Sequence, residues 1–125
     1  MLSIDLPNST GDCDHGPIVA FRHGELHVWY DHDDDWTHIR VGSCVAVRFT
    51  PSPSVTGMMI EAYSKVIEHP DSRWLSELRS AADSREQLSP DFRHIFVYFD
   101  HYGCLEFVAR SVTVEENSEA PPNFA

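Results

Sequence analysis

Four carboxylates stand within five residues, Asp31, Asp33, Asp34 and Asp35, interrupted only by His32. Such a cluster suits either a hard divalent cation or a cationic partner. The spacing does not meet the calcium-loop template. Counted from Asp31, the sixth position is Trp36 where glycine is needed, and the twelfth is Gly42 where a glutamate closes the site. With Glu25, the stretch 25–35 carries five carboxylates and no Lys or Arg. A loop of this kind steers a basic partner and raises its association rate. Asp31, Asp33, Asp34 and Asp35 are therefore the expected partner-binding residues. Trp29 and Trp36 flank them as anchors of the type enriched at binding hot spots. The same two tryptophans also fit packing across a hairpin, the commoner use of such a pair.

Eight histidines are a high count for 125 residues. A zinc site needs ligands at usable spacing, yet there is no HExxH and no Cys and His pair at finger spacing. The best assembly would bring His27, His38 and His94 together across neighbouring strands. Asp14-His15, Asp31-His32 and Asp100-His101 make no dyads by themselves, because neighbours on a strand face opposite ways. Cys104 lies close to His101 but has no Gly-rich nucleophile elbow, and a buried structural cysteine is the simpler reading. No GxGxxG or P-loop pattern occurs. No catalytic, cofactor-binding or metal-ligating residue is expected. A small metal- or cysteine-dependent enzyme is the alternative, resting on the histidines and on His101 with Cys104.

Strands must position most of these groups. Ile18–His23 and Glu25–Asp31 are expected strands, the second with Leu26, Val28 and Tyr30 on one face and His27 and Trp29 on the other. The acidic run is a hairpin loop, since Asp is depleted in strands and favoured in turns. Trp36–Val41 and Cys44–Thr50 follow as strands. Pro51–Ser54 breaks the pattern, and Val55–Glu68 is a helical or irregular start ending in a strand near Tyr63–Glu68. Ser72 is placed to cap a helix whose apolar face is Trp74, Leu75, Leu78, Ala81 and Ala82. Arg93–Asp100 is apolar on both faces and is expected as a central, doubly covered strand. Cys104–Arg110 pairs back on it, and Ser111–Glu116 extends the sheet. The sum is an α+β fold, an antiparallel sheet of about six strands packed on one main helix. It forms a single domain over 18–116, between an irregular arm at 1–17 and a flexible tail at 117–125.

Composition bounds the function. Nine Lys and Arg against twenty Asp and Glu give a net charge of −11. Direct nucleic-acid binding needs a basic face and is not expected. An acidic chain is also unsuited to an anionic membrane surface, and no apolar run approaches a membrane span. Three widely spaced cysteines, Cys13, Cys44 and Cys104, make a poor disulfide framework. With no signal-peptide pattern at the N-terminus, the expected compartment is the cytoplasm. Monomer and homodimer are both open.

The second half of the chain resembles small stand-alone bacterial immunity-type proteins encoded beside polymorphic or contact-delivered toxins. The residues that carry the resemblance are Ser72, Trp74, Leu75 and Leu78, with the strand pair His94–Phe99 and Leu105–Ala109. What it implies is a cognate toxin or effector as partner, neutralised by steric and electrostatic occlusion without chemistry on the inhibitor's side. A rigid acidic surface suits capture of a basic protein. The runner-up is a phage or mobile-element inhibitor that mimics nucleic-acid charge.

Overall fold

Alternation of apolar and polar residues sets the strands, and two-residue turns join several of them. In the computed structural model, residues 1–11, 13–81 and 88–122 are described. Among the described residues nine strands run in order: β1 (Ser3–Asp5), β2 (Ile18–Arg22), β3 (Glu25–His32), β4 (Asp35–Gly42), β5 (Ala46–Pro51), β6 (Lys65–Glu68), β7 (Arg93–Phe99), β8 (Gly103–Ala109) and β9 (Ser111–Ser118). Between β5 and β6 lies a one-turn helix, α1 (Gly57–Ile60), and between β6 and β7 a longer one, α2 (Arg73–Ala81). All strand pairs between these elements are antiparallel.

The fold is mostly β with its strands divided into two sheets, and this corrects the expected α+β class with a single sheet on one main helix. Sheet A has the order β1-β6-β7-β8-β5, and sheet B the order β2-β3-β4-β9. They face each other across one core. Leu26, Val28 and Tyr30 of β3 and Ile39 and Val41 of β4 meet Ile95, Val97 and Phe99 of β7 and Leu105 and Phe107 of β8. Tyr30 and Phe99 touch edge to face across the gap, with ring centroids 5.5 Å apart. The physical reason is cover. Sheet B has an apolar inner face of its own that covers the inner face of sheet A, while α2 lies on the other side of sheet A, with Trp74 against His94. No residue of α2 is buried, and Trp74, Leu75 and Leu78 are only half covered. Ala82, expected to end the helix, lies outside the described residues, as do the last three residues of the tail.

The chain crosses between sheets at short links. Gly42-Ser43-Cys44 carries it from β4 toward β5, with Ser43 in the left-handed region at φ 53°. Arg110 alone separates β8 in sheet A from β9 in sheet B. The N-terminal arm packs onto the sandwich. It supplies β1, buries Leu6 and Thr10, and ties Tyr30 Oη to Asn8 O at 2.8 Å. The expected doubly covered strand is β7, third of five in its sheet and buried from His94 to Phe99.

Candidate partner-binding surface

The acidic run forms a tighter hairpin than a five-residue loop. β3 and β4 pair as far as His32 and Asp35, so the turn is Asp33-Asp34 alone, with φ at 49° and 68°. Two left-handed residues in a two-residue turn make a type I′ turn, whose twist matches the strands it joins. Asp33, Asp34 and Asp35 are exposed there. Asp31 is different. It lies within β3 on the face shared by His27 and Trp29, and its side chain is 3% exposed. Its carboxylate accepts the His15 backbone N–H at 3.0 Å and lies 2.5 Å from His15 Nδ1. That hydrogen bond, aided by the nearby charges of Asp14 and Asp34, raises the His15 pKa. Three of the four aspartates thus face solvent, and the fourth anchors the segment before β2.

The tryptophans take histidine partners. Trp29 is buried and stacks on His38 at 4.6 Å and on His27 at 5.6 Å, while Trp36 is half-buried and stacks on His15 at 6.1 Å. His27 Nδ1 and His38 Nε2 are 2.9 Å apart on the outer face of sheet B. Burial and the neighbouring His27 lower the His38 pKa. His94 is on β7, in the other sheet, so the three histidines do not assemble. Among the described residues no group of three or more His, Cys, Asp and Glu could hold a metal ion.

The sandwich is open at one corner. Val19 and Phe21 of β2 are paired opposite core residues Val28 and Leu26, so their side chains face inward. Val47 and Phe49 of β5 likewise sit opposite Phe107 and Leu105. Yet these four are 44%, 58%, 42% and 47% exposed. Both strands are sheet edges, and between them runs an apolar cleft of about 480 Å³, floored by Leu105 and closed at one end by His15, Gly16, Pro17 and Tyr102. Gly16, at φ 69°, lets the Tyr102 ring lie close, since a Cβ there would come within 2.6 Å of it. His15 joins this cleft to the acidic hairpin. It lines the one and feels Asp31 and Asp34 of the other, together with its own neighbour Asp14. No alternation pattern announces an inward residue left uncovered, so sequence reasoning missed the cleft.

A buried polar network lies on the outer face of sheet A. Arg48 Nε and Nη2 donate to both oxygens of Glu106 at 2.8 and 3.0 Å, and His94 Nε2 lies 2.7 Å from Glu106 Oε1. Burial alone would push the Glu106 carboxyl up, but the hydrogen bonds from His94 and Arg48 outweigh it and hold the group at about 2. An ionised Glu106 makes His94 Nε2 the donor, so Nδ1 accepts from Ser72 Oγ at 2.6 Å. Ser72 Oγ in turn accepts the Leu75 N–H at 2.9 Å, the capping bond of α2. The donor order is that of a nucleophile–base–carboxylate relay. Two features keep Ser72 a cap. Its Oγ already accepts the Leu75 N–H, and His94 is 1% exposed beneath Trp74 and His69, closed to a substrate. Arg48 shares the Glu106 carboxylate with His94. Cys104 is fully buried with its thiol pushed up to about 12, chiefly by burial, while His101 is exposed and faces Asp100. A thiol that stays protonated at neutral pH is a poor nucleophile.

No family model, curated protein or solved structure matches the chain. Among the described residues, no helix is long and apolar enough to cross a membrane.

Proposed function

We propose that this chain is an acidic binding domain that neutralises a cognate basic toxin or effector by occluding it. The observation that supports the reading is the juxtaposition of an open apolar cleft with exposed carboxylates at its His15 end. Apolar area supplies the affinity of such an interface, and the charge sets its on-rate and partner choice. Asp33, Asp34 and Asp35 are the steering residues of this reading. Trp29 and Asp31 act from beneath, by holding the sheet and the segment at 15–17.

The test is a pull-down of the neighbouring gene's product on the intact chain, at low and at high salt. A stoichiometric complex that weakens with salt is expected. The double variant Asp33→Asn/Asp34→Gly should slow association while leaving the fold intact. Absence of a complex at either salt would sink the proposal.

A further inference from the structure

We propose that the open corner is a vacant strand position, filled by an extended segment of a basic partner protein that pairs with β2. The choice of a basic partner rests on the function proposed above; the strand slot rests on the main chain. Arg22 and Glu25 flank a two-residue turn, so they exchange both main-chain hydrogen bonds. Alternation then turns the N–H and C=O of Ile18, Ala20 and Arg22 toward β3. Those of Val19 and Phe21 point to the edge of sheet B that pairs with no described strand. Val19 lines the cleft, and Phe21 presents its side chain on the same face of the sheet.

A strand laid along that edge would therefore bond to Val19 and Phe21 and set every second side chain against Val47 and Phe49. Sheet B would gain the fifth strand that sheet A already has. The groove selects apolar residues at alternate positions and leaves the intervening ones in solvent. Charge selects what those intervening residues are. Asp14 and Asp34 are exposed at the His15 end, and the whole chain carries −11. Lysine and arginine are complemented there, and aspartate and glutamate are repelled. A second copy of this chain would bring the same negative charge and is disfavoured as occupant.

The probe is the peptide Lys-Val-Lys-Val-Lys-Val-Lys, with Glu-Val-Glu-Val-Glu-Val-Glu as its charge-reversed control, added to the full chain. Binding is followed by amide hydrogen exchange resolved at Val19 and Phe21. The Lys–Val peptide should bind, slow exchange at both amides, and bind at least about tenfold more tightly than the Glu–Val peptide. Phe21→Pro removes an edge N–H that β3 does not use, a change tolerated on a free edge. It should abolish binding, whereas Phe21→Val should retain it. With peptide added, three results overturn the proposal: no binding, binding without protection at Val19 and Phe21, or equal binding of the two peptides. Protection of both amides in the protein alone, rising with its concentration, assigns the slot to a second copy and also overturns it. Binding without protection would leave the partner-capture reading standing, and a failed pull-down with a protected peptide would remove that reading alone.

Discussion

At Glu106 a buried carboxylate holds together a strand from each side of β8 and the cap of α2, because Arg48, His94 and Ser72 are chained through it. Glu106 is buried while Arg48 is 46% exposed, so Glu106→Gln loses charge-assisted hydrogen bonds and should cost about 2 kcal/mol in urea unfolding. Ser72→Ala should cost about 1 kcal/mol, the loss of a cap, and native Ser72 should stay unlabelled by a fluorophosphonate. Labelling of Ser72 would show that the relay is chemically active after all. The pH dependence has a definite sign. Glu106 is held at about 2, below its ordinary 4.5, so its contribution is present above the ordinary carboxylate range and lost as pH falls toward 2. The stability gap between the native chain and Glu106→Gln should close over that window in urea midpoints measured at successive pH values. At this scale the sequence was partly legible. Asp33 and Asp34 stand at the expected hairpin turn, while Asp35 already belongs to β4. Asp31 shares the parity of His27 and Trp29, yet its anchor, His15, comes from a segment whose position no local pattern reveals.

The elements were the most legible level, because alternation and turn chemistry act over a few residues. β3, β4, β7 and β8 stand close to where alternation put them, and the ambiguous stretch before β6 resolves into a short helix and then a strand. The turn at Asp33-Asp34 carries a local conflict. Left-handed φ values at both positions favour Asn-Gly, and a second aspartate with a Cβ is strained there. Asp33→Asn/Asp34→Gly should therefore raise stability by about 0.5–1 kcal/mol in urea unfolding while removing two charges. A fall in stability would mean that the aspartates make contacts beyond the turn. This gain separates electrostatic loss of partner binding from loss of fold in the same variant.

For the whole molecule, the strands were legible and their partition was not. Hairpin turns tell which consecutive strands are neighbours, but nothing local says that β4 closes on β9 while β5 closes on β8. Those pairings are decided by which apolar faces bury each other, a sum over the entire chain. The exposed inner faces of β2 and β5 follow from the same sum, as the corner it leaves open. The late closure of sheet B has a consequence in time. β2, β3 and β4 form a local meander early in the chain, but β4 gains its second neighbour only when β9 arrives, at Ser111–Ser118. During synthesis from the N-terminus, the β4 edge therefore stays bare until Ser111–Ser118 has left the ribosome. Two-residue turns on either side of β3 make the meander quick to form, and β9, made well after it, is the strand that seals it. Quality control by the cell thus meets an aggregation-prone edge that stays open from the completion of β4 until β9 is made.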